Sequence, residues 1–140
     1  MSRVQLAINV ENLDEAIDFY SRLFDAVPAK VKPGYANFAI VEPPLKLVLF
    51  ENQGKGGSIN HLGVEVQTTE EVLTAEDRLT RADMVTTGVD ETQCCYAEKT
   101  EVWVDGPDGV RWEWYVKHAD SDQFENVVID QGQSKRKCCP

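Results

Sequence analysis

The sequence predicts an α+β fold built from two tandem βαβββ units. Three observations carry this. A strand-like apolar run opens each half of the chain, at 4–10 and again at 59–66. A helical apolar periodicity follows each run, and about three strand-like stretches follow each helix. Between the halves lies the glycine-rich run Asn52-Gln53-Gly54-Lys55-Gly56-Gly57-Ser58, after which the pattern restarts, and internal repetition outranks any single motif as a sign of fold.

In the first unit, about residues 1–52, Val4 to Val10 alternates as a strand. Asn12 or Asp14 is the candidate cap of a helix whose apolar stripe is Ala16, Ile17, Tyr20, Leu23 and Phe24. Pro28, Pro33 and Gly34 punctuate its exit. Tyr35 to Val41 and Leu45 to Glu51 read as strands joined at Glu42-Pro43-Pro44. In the second unit, about 58–118, the strand Ile59 to Val66 leads to Thr68-Thr69-Glu70-Glu71, a helix-start signature, and a helical pattern from Val72 to Ala82. Strand-like pieces recur around Met84 to Val89, Cys94 to Glu98, Thr100 to Val104 and Val110 to Lys117. The run Asp105-Gly106-Pro107-Asp108-Gly109 turns the chain before the last of them. Residues 1–118 thus form one domain. From 119 to 140 the apolar periodicity is lost, and a flexible polar tail ending Cys138-Cys139-Pro140 is expected.

Composition narrows the partners. With 140 residues, 42% of them hydrophobic, the chain can bury a core without metal or disulfide staples. A net charge of -10 disfavours nucleic acid and anionic membrane surfaces. No run is long enough to cross a bilayer, and Met1-Ser2-Arg3 leads straight into a strand pattern, so a cytoplasmic protein with reduced cysteines is expected.

Two groups of residues suggest chemistry. Cys94 and Cys95 are adjacent, and on a regular strand their side chains would point to opposite faces. If the backbone bends so that they converge, two thiolates make a chelate for a soft element. The second group is Gln5, His61 and Glu113. Laying Val4–Val10 over Asn60–Val66 sets Gln5 opposite His61, each the polar residue opening an otherwise apolar strand. Glu113 sits between Trp112 and Trp114 in the last strand. Read alone, it is either a buried carboxylate that needs a metal or a basic partner, or an exposed residue of a polar strand face beside Arg111 and Lys117.

The duplicated unit resembles the vicinal oxygen chelate superfamily of glyoxalases, bleomycin-resistance proteins and extradiol dioxygenases. That resemblance implies a curved mixed sheet around a metal-site cavity, with Gln5, His61 and Glu113 as ligands and a homodimer as the assembly. The pseudo-twofold counterpart of Glu113 falls near Leu49, which cannot ligate. Pro33 to Ile40, Pro43 to Leu49, Asn60 to Val66 and Cys94-Cys95-Tyr96-Ala97 are similar, more narrowly, to the cadmium-induced protein and organoarsenical carbon–arsenic lyase group. This implies an Fe(II)-dependent dioxygenase, with nickel, cobalt or zinc able to substitute in purified protein. Its substrates would be dioxygen and a trivalent organoarsenical held by Cys94 and Cys95, methylarsenite giving arsenite and formaldehyde. Gln93 before the cysteine pair and Glu98-Lys99-Thr100-Glu101 after it depart from the group's usual residues. A segment from Val89 to Tyr96 that is loop-like and gates the site is expected, with Cys138 and Cys139 as possible auxiliary thiols. Two other readings stand beside this one: a non-catalytic cadmium- or arsenite-binding protein, and a generic glyoxalase-like or extradiol enzyme.

Overall fold

The structure, a computed structural model, describes residues 2–122, 124 and 127–128. The chain forms two compact units, Arg3–Leu62 and the residues from Gly63 on, each with a helix packed on one face of its strands.

The first unit runs β1 (Arg3–Val10), α1 (Leu13–Phe24), β2 (Lys30–Lys32), β3 (Tyr35–Ile40), β4 (Leu45–Glu51) and the first part of β5 (Ile59–Val66). Its strands lie in the order β2-β3-β4-β1-β5. β1 runs parallel to β4, with Gln5 opposite Lys46 and Ile8 opposite Leu49, while β2, β3 and β4 are antiparallel neighbours. Helix α1 starts where Asn12 Oδ1 accepts the Glu15 N–H at 2.9 Å, and Asp14 and Glu15 complement the positive end of the helix dipole. It stops at Asp25, which turns left-handed at φ 49°. Its apolar face closes over Ala36, Phe38, Ile40, Leu47 and Leu49 through Ala16, Ile17, Tyr20 and Phe24. Leu23, expected in this stripe, is 57% exposed. At 100° per residue it falls outside the arc bounded by Ala16 and Ile17.

The second unit runs α2 (Thr69–Arg81), β6 (Asp90–Cys94), β7 (Ala97–Asp105), β8 (Arg111–Asp120) and β9 (Val127–Val128). The last four lie in the order β8-β7-β6-β9, all antiparallel. The start of α2 is a capping box: Thr68 Oγ1 accepts the Glu71 N–H, and the Glu71 carboxylate accepts the Thr68 N–H. Val66, Val72, Val102 and Val116 form the core beneath it, with Trp114 against them.

Both halves are therefore βαβββ, but three details differ from the sequence reading. The third strand of the first unit is β2, three residues long, too short for its alternation to register. Residues 84–89 do not form a strand; only a Thr86–Val104 bridge remains of it. Thr86 Oγ1 accepts the Gly88 N–H and donates to Glu76, and Gly88 is left-handed at φ 78°, so side-chain bonds replace a ladder. The strand expected over 94–98 contains the β6–β7 turn. The expectation of a mobile tail over 119–140 falls mostly outside the described residues; within them, β8 continues to Asp120 and Val127–Val128 pairs with β6. Among the described residues no helix is long and apolar enough to cross a membrane.

Phe38 is fully buried under α1. Phe38→Ala is expected to destabilise the chain by about 3–5 kcal/mol through lost transfer energy and an unfilled cavity, read as a lowered urea midpoint. A loss near zero would place this side chain outside the core.

Candidate metal and thiol sites

Helix α1 covers the face of β1 that carries Leu6, Ile8 and Val10. Strand alternation therefore puts Gln5, Ala7 and Asn9 on the other face. That face is also buried, with Gln5 4% and His61 2% exposed. Gln5 Nε2 stands 3.2 Å from His61 Nε2, and His61 Nδ1 stands 2.8 Å from Asn60 Oδ1. An amide oxygen only accepts, so the ring carries its proton on Nδ1, and Nε2 presents a lone pair toward Gln5. This is the form of imidazole that ligates a metal, with the other ring N–H held by a carbonyl. A neutral imidazole beside a side-chain amide fits a first-row divalent ion. Leu49, expected as the counterpart of Glu113, packs under α1 instead. By alternation Val48 and Phe50 share the face of Gln5, and the Phe50 ring lies 6.1 Å from that of His61. Neither can ligate.

In the second unit the same division applies. Trp114 and Val116 on β8, and Val102 on β7, pack on the α2 side. Glu113 and Tyr115, with Lys99, Glu101 and Trp103 across the ladder, therefore lie on the opposite face. Glu113 is 2% exposed, which settles its two sequence readings in favour of a buried carboxylate. Its partner is Lys99, whose Nζ lies 3.0 Å from Glu113 Oε2 and 3.4 Å from Glu101 Oε2. Glu101 accepts the Thr92 hydroxyl at 2.7 Å and the Trp103 indole N–H at 3.0 Å. The Tyr115 ring sits 5.1 Å from Lys99 Nζ, and its hydroxyl donates to Glu65. Burial alone would lower the Lys99 pKa, but the carboxylates of Glu101 and Glu113 more than reverse this and raise it. Burial pushes the Glu101 carboxyl up to about 7, against the pull of Lys99 and with the help of the Glu113 charge. Lys99 and Glu101 were missed in the sequence. Their signal was present: charges at 99 and 101 lie two apart on one strand face, against a strand bearing Glu113. Among the described residues no three His, Cys, Asp or Glu side chains group as metal ligands, and the expected set depends on the amide of Gln5.

The cysteines form a hairpin tip. Cys94 pairs with Ala97, and Cys95 and Tyr96 make the two-residue connection with φ of 53° and 64°. Two successive left-handed residues match the twist of a tight hairpin, a place where Asn-Gly is the usual choice. Holding non-glycine residues there costs about 1–3 kcal/mol each, and such outliers gather at functional sites. Because Cys95 leaves the strand, alternation breaks, and the two Sγ atoms approach to 3.1 Å. The tip is braced on both sides. Gln93 donates to Glu98 at 2.9 Å, so the two departures from the resembling group form one cross-strand pair. The Cys95 N–H donates to the Phe124 carbonyl, the Ser121 N–H to the Tyr96 carbonyl, and the Tyr96 and Phe124 rings lie 5.4 Å apart. The segment expected to be loop-like from Val89 to Tyr96 is thus a strand through Cys94, with its irregularity confined to two turn residues. Cys138 and Cys139 lie outside the described residues.

The raised Glu101 pKa has a sign that can be measured. Between about 4.5 and 7 the folded chain keeps a proton that the unfolded chain has released, so stability falls as pH rises through that window. Urea midpoints of metal-free protein are expected to decline from pH 4.5 to 7, and to decline less in Glu101→Gln. Parallel profiles for the two would refute the assignment.

The family described as Glyoxalase/Bleomycin resistance protein/Dioxygenase superfamily matches residues 3–114. The cadmium-induced protein CadI of Mycobacterium tuberculosis is 60% identical over 124 residues, which cover 89% of this chain and 82% of that protein. A trivalent organoarsenical cleaving enzyme of Thermomonospora curvata is 53% identical over 123 residues, covering 87% and 82%. Among solved structures, the Mn(II)-bound glyoxalase from Novosphingobium aromaticivorans shares the fold at a TM-score of 0.59 and 16% identity, over 88% of this chain and 43% of that one. On the family match and these two relatives, the chain belongs to the glyoxalase, bleomycin resistance protein and dioxygenase superfamily, in the group that includes CadI and the trivalent organoarsenical cleaving enzymes.

Proposed function

We propose that this chain is an Fe(II)-dependent dioxygenase that breaks the carbon–arsenic bond of trivalent organoarsenicals. The observation that carries the reading is the approach of Cys94 Sγ and Cys95 Sγ to 3.1 Å at a hairpin tip, in a chain 53% identical to a trivalent organoarsenical cleaving enzyme. Adjacent cysteines at that separation suit a trivalent arsenic centre that exchanges two oxygen ligands for two sulfurs. The clamp works in its reduced form. Gln5, His61 and Glu113 would hold the metal, and nickel, cobalt or zinc would compete for the same donors. Bound there, Fe(II) supplies activation of dioxygen. The chain's own residues do the positioning: the reduced cysteines fix arsenic and so orient its carbon, and lowering the entropy of approach in this way accelerates the reaction. Lys99 holds the Glu113 carboxylate in one orientation through Oε2. The stoichiometry closes, since one methylarsenous acid and one dioxygen contain the atoms of one arsenous acid and one formaldehyde. Loss of arsenite from an aromatic arsenical as a phenol would need, besides dioxygen, two electrons and two protons from a thiol reductant. The protein would act in the cytoplasm as a homodimer, where its thiols stay reduced.

The 60% identity to CadI favours a second reading, sequestration of cadmium or arsenite by the cysteine pair without turnover. A generic glyoxalase or extradiol activity gives the cysteine tip no role.

The readings separate in one assay. Protein reduced with a thiol-free reductant, loaded anaerobically with Fe(II) and given methylarsenite, is expected to release arsenite and formaldehyde in equal amounts on admitting air. Cys95→Ser is expected to weaken methylarsenite binding by roughly 100-fold through loss of the chelate, while Fe(II) binding is unchanged. Tight arsenical binding with no arsenite release would shift the function to sequestration.

A further inference from the structure

We infer that Asn60 is a positioning residue that fixes the tautomer of His61, and that its own orientation is set by a one-way hydrogen-bond relay running back to the glycine-rich loop. The relay lies wholly in the first unit. It rests on the reading above only in that the His61 Nε2 lone pair it exposes is taken to be a metal donor.

Each link has one possible direction. The Ser58 hydroxyl donates to the Lys55 carbonyl at 2.6 Å, so its proton is committed and its oxygen can only accept. It accepts from Asn9 Nδ2 at 2.9 Å. That turns Asn9 Oδ1 the other way, where it accepts from Asn52 Nδ2 at 2.9 Å and from Asn60 Nδ2 at 3.1 Å. With its amino group spent on Asn9, Asn60 offers Oδ1 to His61 Nδ1 at 2.8 Å. An amide oxygen holds no proton, so Nδ1 carries one, and in the neutral ring Nε2 is then bare. Gln5 Nε2, 3.2 Å away, meets that lone pair as a donor. Amide orientations are assigned from their networks, and here the network leaves a single assignment. Reversing Asn9 would set its oxygen against a hydroxyl with no proton to give and its amino group against two others. Asn9 and His61 are each 4% exposed or less, and a reversed amide in that setting would strand buried polar groups.

The backbone reinforces the relay. Asn9 N–H donates to the Ser58 carbonyl, and Gly57 N–H to the Asn9 carbonyl, both at 2.9 Å. Glu11 holds the same loop from outside by accepting the Gly54 and Gly56 N–H groups at 2.9–3.0 Å. The linker between the repeated units is therefore also the far end of the device that sets the His61 ring. An ordinary buried histidine needs its two nitrogens satisfied; it does not need the proton on one particular nitrogen.

The test reads the tautomer directly. In uniformly 15N-labelled, metal-free protein at alkaline pH, long-range proton–nitrogen correlation is expected to show His61 with Nδ1 protonated and Nε2 bare. Asn60→Asp keeps the acceptor and is expected to keep that pattern. Asn60→Ala, and the remote Asn9→Leu, are expected to lose it in favour of a mixture, with urea unfolding confirming that each variant is folded. Anaerobic equilibrium dialysis with Fe(II) is expected to show about 10–100-fold weaker binding for Asn60→Ala and near-native binding for Asn60→Asp. A wild-type ring protonated on Nε2, or an unchanged tautomer in both Asn60→Ala and Asn9→Leu, would overturn the inference. A lost tautomer with unchanged Fe(II) affinity would uphold the relay and instead sink His61 as a ligand.

Discussion

Each unit of this protein buries both faces of its strands, one of them apolar under its helix and the other mixing apolar side chains with polar and charged ones. The other face carries polar and charged groups at a few per cent exposure, and buried polar groups are tolerated only when bonded. This constraint shapes nearly everything else. In the first unit it is met by a chain of amides, a hydroxyl and an imidazole, with the Lys46 side chain buried opposite Gln5 on the same face. In the second it is met with charge, by Lys99 set between Glu113 and Glu101. Replacing a buried ion pair by apolar residues of similar volume is often neutral or stabilising, so the Lys99 cluster is weak evidence for stability.

The second unit also ties its charge cluster to the cysteine tip. Thr92, two residues before Cys94 on β6, donates to Glu101, which shares Lys99 with Glu113. Gln93 on the alternate face joins Glu98 across the hairpin. The tip thus carries two left-handed residues on a strand pair pinned from both faces, which is how a strained turn persists. Adjacent cysteines, which diverge on a straight strand, are brought together by this turn.

Much of the fold was legible because amphipathic periods are long-range in the sequence. The α1 and α2 stripes, the Thr68–Glu71 capping box and the repeat of strand, helix and strands all follow from side-chain spacing. What was not legible depended on single backbone torsions. Nothing local distinguishes Cys95 and Tyr96 as left-handed, so Cys94 to Glu98 read as a strand. Thr86 and Thr87 have strand propensity, yet their hydroxyls take up backbone bonds that a strand would have used. Of the candidate site residues, Gln5 and His61 were singled out by laying one repeat over the other, and the structure sets their side chains 3.2 Å apart. Glu113 stood out as a carboxylate between tryptophans. Lys99 and Glu101 were not found, because strand alternation shows a shared face but not which face is buried. Asn9 and Asn60 read as polar interruptions of strands, and only their hydrogen-bond directions give them a role.

The proposed function takes Gln5, His61 and Glu113 as the donors for one Fe(II) ion. Anaerobic Fe(II) binding by the reduced wild-type chain, His61→Ala and Glu113→Gln tests this. One Fe(II) per wild-type chain is expected, with that binding lost in both variants and methylarsenite binding retained. Full Fe(II) binding by Glu113→Gln would contradict it, and would leave Glu113 as no more than the partner of Lys99.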